Sequence, residues 1–179
     1  SYSVLEFRRV LFRSEHQVLL KAAFPVNIHA ARATYDIPFA TIERPTHRNT
    51  DWDKARYEVP AQKWADLSEG DYGVSLLNDC KYGYDIKDNL MRLTLLKSAI
   101  DPDPNADIGH HRFSYALYPH AGDWRQGQTM RMAYQFNVPL LARRHERVAS
   151  SAAGSRCSWV ESNARSEEHT SELQSPNTI

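Results

Sequence analysis

The chain has 179 residues, of which 41% are hydrophobic and 25% are charged, a composition typical of one globular domain that can bury a core. Its 22 Lys and Arg residues balance 22 Asp and Glu residues, so the formal net charge is zero and neither nucleic acid nor an anionic membrane is favoured as a partner. No apolar run approaches the roughly 20 residues of a membrane span.

The two cysteines, Cys80 and Cys157, stand alone in the sequence. No CxxC or Cys/His spacing surrounds either of them, so the sequence predicts neither a disulfide framework nor a zinc knot. Unpaired thiols are typical of a reducing compartment, and we therefore expect a cytoplasmic protein.

Both ends of the chain look non-native. Residues 165–175 read RSEEHTSELQS, which resembles the translation of a common sequencing adapter, and the reverse complement of that DNA encodes LEFRRVLFRS, the sequence of residues 5–14. The alternative is an amphipathic N-terminal strand and a polar C-terminal helix. We expect non-native ends over 1–14 and 165–179, a globular domain over 15–142, and an uncertain linker or frame-shifted segment over 143–164.

The segment 15–142 reads as successive strands separated by turn residues. In residues 31–37 the side chains of Ala33, Tyr35 and Ile37 alternate with polar ones, the period of a half-buried strand. Residues 61–67 fit either a helical turn or a strand. The other predicted extended segments are 17–26, 39–43, 56–60, 72–77, 84–86, 90–96, 112–118 and 128–138. About eight strands and no clear helix predict an all-β fold, an antiparallel β-sandwich.

Three connections carry turn signals. Asp88 and Asn89 lie between two apolar runs and both tolerate positive φ, so they predict a tight hairpin turn. Residues 46–54 are rich in Thr, Asn and Asp, as loops are. Residues 101–109, DPDPNADIG, predict a surface loop.

Several short motifs occur in an order and spacing that resemble a known family. They are RPTHRNT (44–50), WD (52–53), ARYEV (55–59), WADLSE (64–69), YGV (72–74), LNDCKYG (77–83), MRLTLL (91–96), PD (102–103), His111 and YALYPH (115–120). Over residues 17–142 this pattern is similar to the C-terminal half of the family 38 α-mannosidases, most of all the cytosolic type and its bacterial relatives.

The resemblance implies the C-terminal structural and substrate-rim domain of a retaining α-mannosidase that hydrolyses terminal α-linked mannose. In that family zinc or a similar divalent metal, an Asp nucleophile and an acid/base carboxylate belong to the N-terminal α/β domain. No motif here matches that domain, so we assign no catalytic residue, metal ligand or cofactor to this chain and expect it to be inactive alone. The implied partners are the catalytic domain of the same polypeptide and a mannose-containing oligosaccharide. The alternative is a stand-alone carbohydrate-binding or interaction sandwich.

The strongest candidate site follows the apolar run 72–77. Asn78, Asp79, Lys81 and Tyr82 precede Gly83, at a strand end where a rigid sheet can present side chains. Sugar hydroxyls bind such donors and acceptors, and an aromatic ring packs on the C–H face of a pyranose. We predict that these four residues bind substrate. The alternative is a charged turn in which Asp79 pairs with Lys81.

A second polar cluster comprises Arg44, His47, Asn49, Asp51 and Trp52. A metal site of His47 with Asp51 or Asp53 is conceivable. A loop held together by Thr, Asn and Asp side-chain hydrogen bonds is the favoured interpretation.

Two further groups have ordinary explanations. His110 and His111 are neighbours on a strand and point to opposite faces, so a shared metal with Asp107 is not expected. Trp52, Trp64 and Trp124 are expected in the core rather than on a sugar-stacking platform.

Overall fold

The computed structural model describes residues 4–13 and 16–140. Ten strands and two helices follow one another along this part of the chain: β1 (Leu5–Arg13), β2 (Leu20–Pro25), β3 (Arg32–Ile37), β4 (Ala40–Pro45), α1 (Asp51–Ala55), β5 (Val59–Pro60), β6 (Trp64–Glu69), β7 (Tyr72–Asn78), β8 (Gly83–Lys87), β9 (Leu90–Leu96), β10 (Gly109–Ala121) and α2 (Thr129–Asn137).

The strands form two sheets in which every neighbouring pair is antiparallel. Sheet A has the order β1-β10-β7-β6-β3-β4, and sheet B has the order β2-β9-β8-β5. Their facing surfaces enclose the main core, so the predicted all-β sandwich is confirmed. Neither helix in the described residues is long and apolar enough to cross a membrane.

The main core forms because alternate side chains of both sheets point inward. Tyr35 of sheet A meets Tyr84 of sheet B edge to face, with ring centroids 6.4 Å apart. Leu76, Met91 and Leu93 are also fully buried there. Burying each such side chain contributes roughly 1.5–3 kcal/mol to stability, which makes this layer the main source of stability.

Sheet A is covered on its outer face as well. Trp64, Leu77, Ala116 and Tyr118 form a second apolar cluster, and Ala133 of α2 packs onto it. As a consequence β7 is buried on both faces, and from Gly73 to Asn78 it reads as a continuous buried run rather than an alternating one.

The prediction of extended structure over 128–138 was wrong, because Thr129–Asn137 is helix α2. Its inward-facing residues Thr129, Met132, Ala133 and Phe136 recur every three or four positions, the helical spacing. The apolar residues of this segment therefore follow a period of 3.6, not of 2.

The loop expected over 46–54 is also only partly a loop, because Asp51–Ala55 forms the short helix α1. Thr50 caps it: its hydroxyl accepts from the Asp53 backbone N–H, and the Asp53 carboxylate accepts from the Thr50 N–H, a capping box. The Thr and Asp residues that suggested a loop are thus the residues that start a helix.

Other local predictions are settled by the strand pattern. Residues 61–67 contribute to a strand, β6. Asp88 has φ +53° in the two-residue turn between β8 and β9, as predicted. β1 is a strand, paired with β10, in the segment that we attribute to adapter sequence; the origin of residues 1–14 stays a prediction. The segments 143–164 and 165–179 lie outside the described residues.

Candidate functional site

The 78–82 turn lies at one end of the sandwich, where β7 ends. The hairpin between β3 and β4 and the segment before β6 lie at the same end: the Gln62 N–H donates to the Asp36 carbonyl at 2.9 Å, and the Ala61 N–H donates to the Tyr82 carbonyl at 3.0 Å. We call this the Asn78 end of the sandwich, comprising residues 36–40, 61–63 and 78–82.

Asn78 is buried and holds this end together. Its Nδ2 donates to the Gln62 carbonyl at 2.8 Å and to the Tyr84 hydroxyl, and its Oδ1 accepts from the Lys81 N–H at 2.6 Å. Its carbonyl accepts from Asn137 Nδ2 of α2 at 3.0 Å. Both Nδ2 protons of the side chain are engaged and its Oδ1 is already paired, so Asn78 positions the turn.

The other three predicted site residues lie on the turn itself. Asp79 is exposed, and its Oδ2 accepts from the Ser114 N–H at 3.0 Å. The Lys81 ammonium lies 5.1 Å from the centroid of the Phe113 ring. Tyr82 is 61% exposed. Among the described residues no ion pair joins Asp79 to Lys81, so each charge is held by β10 instead.

Cys80 lies between these residues and is exposed as a free thiol. Partial burial of the thiol and then its hydrogen bond to Asp79 raise the pKa of Cys80 to about 11. The group is therefore a neutral thiol at pH 7, with little nucleophilic character.

An open depression of about 390 Å³ lies beside the end of β9, lined by Gln17, Leu19, Lys97, Ser98, Ala99, Ile100 and Asp101. The Asp107 carboxylate accepts from the backbone N–H groups of Ser98 at 2.9 Å and Lys97 at 3.2 Å. These two hydrogen bonds, that from Ser98 first, lower the pKa of Asp107. The charge of Lys81 lowers this pKa by a smaller amount. Asp107 is thereby anchored to two residues that line the depression, Lys97 and Ser98.

The structure brings together only part of the second polar cluster: Arg44 and His47 line one small cavity, and Trp52 does not line it. Arg44 donates to the Pro60 carbonyl at 2.8 Å and stacks over Tyr35, while Trp52 is 79% exposed. A cavity of about 20 Å³ lies beside Arg44 and His47, among Arg48, Tyr57 and Asp85. That volume holds about one water molecule and no sugar ring.

The histidines have local partners. His47 Nδ1 lies 3.5 Å from Asp53 Oδ2, and His111 Nε2 lies 2.7 Å from the Asp107 carbonyl. No group of three or more His, Cys, Asp or Glu side chains in the described part of the chain is arranged to hold a metal. The side chains of the described residues therefore do not fit the metal that the family resemblance implies.

The tryptophans divide between core and surface. Trp64 is buried and its ring lies 5.2 Å from that of Trp124, which is partly buried in the second cluster. Trp52 is exposed on α1, so the expectation of a core position was wrong for this residue.

Sequence analysis missed a buried polar group between sheet A and α2. Asp66 Oδ1 accepts from Ser75 Oγ at 2.7 Å and lies 2.8 Å from His120 Nε2, and Ser75 also contacts Thr129 of α2 at 2.7 Å. These are triad residue types, but Asp and Ser share one imidazole nitrogen, whereas a hydrolytic triad uses both. With all four residues buried, the arrangement is structural.

A second missed group lies on the outer face of sheet B. Asp85 is 2% exposed and is surrounded by three cations: Arg92, Arg48 at 2.6 Å and Lys21 at 3.5 Å. Lys21 also pairs with Glu58 at 2.7 Å. The alternation of β8 places Asp85 opposite the core, but only the fold shows which cations reach it.

Comparison with known proteins identifies the relatives of this domain. The alpha-mannosidase 2C1 of Mus musculus is 49% identical over 128 residues, which cover 72% of this chain. The alpha-mannosidase of Saccharomyces cerevisiae is 51% identical over 118 residues, 66% of this chain. The chain spans only 12% and 11% of the length of these two relatives.

A solved alpha-mannosidase structure from Enterococcus faecalis has the same fold, with a TM-score of 0.70 and 19% identity over 80% of this chain and 18% of that one. The family model described as the glycosyl hydrolases family 38 C-terminal domain matches residues 3–105. That match covers more than half of the chain, so the chain belongs to the C-terminal domain family of the family 38 glycosyl hydrolases.

Proposed function

We propose that this domain forms the scaffold and the substrate rim of a retaining α-mannosidase that hydrolyses terminal α-linked mannose. The observation that carries the proposal is the Asn78 end: a buried asparagine fixes a turn that carries Asp79, Lys81 and an exposed Tyr82. Carboxylate, ammonium and an exposed phenol ring are the groups that bind a pyranose. The names of the longer relatives supply the reaction class.

The nucleophile, the acid/base and the zinc or similar metal are proposed to lie elsewhere in the parent polypeptide. The buried carboxylates among the described residues are all engaged: Asp36 accepts from the Lys63 N–H at 3.0 Å, Asp66 pairs with His120, and Asp85 is surrounded by cations. A retaining mechanism needs two carboxylates about 5–5.5 Å apart and open to substrate. The isolated chain is therefore expected not to hydrolyse an aryl α-mannoside, with or without zinc.

The test is a chimera. The matching 118-residue stretch of the Saccharomyces cerevisiae α-mannosidase would be replaced by that of this chain, at 51% identity. We expect an active enzyme in which Lys81→Met and Tyr82→Ala raise KM about 3–10-fold each with little change in kcat, the loss of one ground-state contact. Lys87→Met, at the end of β8 that is distant from the turn, is the matched control and should leave KM unchanged.

The outcomes separate two functions. A folded but inactive chimera, or unchanged KM for both turn variants, would contradict the rim proposal. If the isolated chain instead binds mannose oligosaccharides tightly without the rest of an enzyme, a stand-alone carbohydrate-binding role is favoured. A cytoplasmic site of action is proposed from the isolated cysteines, and fractionation of cells that express the parent enzyme tests it.

A further inference from the structure

The turn between β3 and β4 carries an aromatic residue in an unfavourable position. The hairpin turns at Pro38 and Phe39, and Phe39 has φ +64°. Proline followed by a residue of positive φ is the pattern of a type II turn, whose second position favours Gly or Asn. A residue as bulky as Phe is strained in this backbone region.

Within the described part of the chain the Phe39 ring gains little packing to offset that strain. Phe39 is 82% exposed, the largest exposure of any aromatic side chain in the described residues. Ile42, which is 39% exposed, follows on β4, and β4 is an edge strand of sheet A. An exposed apolar tip that continues into an unpaired edge strand is typical of a protein-binding surface.

The tip is better suited to protein than to sugar. Residues 37–40, Ile-Pro-Phe-Ala, include no hydrogen-bonding side chain. The carboxylate nearest in sequence, Asp36, is buried and accepts from the Lys63 N–H. A sugar site needs donors and acceptors around the ring, and the tip offers none.

The turn nevertheless lies at the Asn78 end, beside the proposed rim, through the Gln62 to Asp36 and Asn78 to Gln62 hydrogen bonds. Since the chain corresponds to 12% of the length of its mouse relative, about 88% of such a polypeptide lies outside this domain (100 − 12). The part of that longer polypeptide that faces the rim is the expected binding partner of this apolar tip.

We propose that Phe39 is a docking residue that inserts into an apolar pocket on the remainder of the family 38 polypeptide and so stabilises the packing of this domain on it. The inference rests on the proposed function in one respect, that the domain works within a longer mannosidase. It predicts opposite effects of one substitution in two contexts.

The experiment compares Phe39→Gly in the isolated chain and in the chimera with the Saccharomyces cerevisiae enzyme. In the isolated chain glycine relieves the backbone strain, so Tm should stay level or rise by about 2–4 °C. In the chimera the docking contact is lost, so the Tm of the chimera should fall by several degrees while KM for an aryl α-mannoside changes less than twofold. Phe39→Leu, which keeps an apolar tip, should restore most of the chimera Tm.

Trp52→Ala removes a similarly exposed ring on α1 and is the control, with the same small Tm change expected in both contexts. A lower Tm of the isolated Phe39→Gly chain would assign the ring to internal packing and overturn the proposal. A raised KM with an unchanged Tm of the chimera would make Phe39 a sugar contact and overturn the proposal. No change in either KM or Tm would leave Phe39 without a binding partner and would also overturn the proposal. An unmutated chimera that folds without activity would contradict the proposed function instead.

Discussion

The imidazole Nε2 of His120 lies 2.8 Å from Asp66 Oδ1, and both side chains are buried between sheet A and helix α2. Burial alone lowers the pKa of His120, but the hydrogen bond to Asp66 and the charge of that carboxylate outweigh it, and the pKa is raised. The pair therefore couples the stability of this layer to pH.

The first prediction concerns that coupling. A histidine whose pKa is raised on folding contributes stability that is fully present below its unfolded value of about 6.5 and is lost as the pH rises through its folded value. The free energy of unfolding in urea should therefore fall as the pH rises above about 6.5. His120→Gln should flatten this slope, whereas His110→Gln, a control on the exposed side of β10, should keep it. Stability that rises over this range would contradict the assignment.

Two glycines make room for the same imidazole. A Cβ added at Gly127 or at Gly73 would lie closer than 3.0 Å to ring atoms of His120. Gly127→Ala should therefore destabilise the fold by about 1–3 kcal/mol, the usual cost of overpacking. Urea denaturation of both single variants and of Gly127→Ala combined with His120→Gly, which also removes the His120 Cβ that lies 2.8 Å from the added methyl, is the measurement. Gly127→Ala should cost less stability in the chain that already carries the His120 substitution than in the unmutated chain. If the two losses of stability simply add, the clash is absent.

The Asp85 network predicts a large loss of stability from a residue that is not one of the proposed sugar-binding residues. Asp85→Asn removes the charge that Arg48, Arg92 and Lys21 share, and breaking a buried pair in this way costs about 3–5 kcal/mol. Asp51→Asn, which breaks the exposed pair with Lys54, should cost less than about 1 kcal/mol. Equal losses in the two variants, measured by thermal unfolding, would mean that burial does not strengthen the Asp85 interactions.

Replacing Asn78 should lower the stability of the isolated chain even when no sugar is present. Asn78→Ala leaves the Gln62 carbonyl, the Tyr84 hydroxyl and the Lys81 N–H without their partner, and each unsatisfied buried group costs about 1–3 kcal/mol. Asn78→Asp keeps the Lys81 bond but turns a buried carboxylate oxygen toward the Gln62 carbonyl, so at pH 7 it should be no more stable than Asn78→Ala. The free energy of unfolding of the isolated chain measures this, and a variant as stable as the unmutated chain would make Asn78 free to bind substrate directly.

The sequence predicted strands well where one face is solvated. Residues 31–37 alternate polar and apolar side chains and form β3, and Asp88-Asn89 is the hairpin turn that its residue types predicted. Sequence analysis failed at α2, where Thr129, Met132, Ala133 and Phe136 have helical spacing although residues 128–138 were predicted to be extended. A short segment allows both periods, and packing on the outer face of sheet A decides between them.

For the site, residue types and motif order were enough to identify the chemical groups at the end of β7 and the resemblance to the family 38 mannosidases. The roles of these groups became apparent from their contacts in the folded chain. Asn78 is buried as a support while Tyr82 is exposed, and Phe39 comes to the same end through the Gln62 hydrogen bonds, although 39 residues separate it from Asn78. The physical reason is that hydrogen-bond partners and burial depend on strands distant in sequence, which residue type and local spacing do not encode.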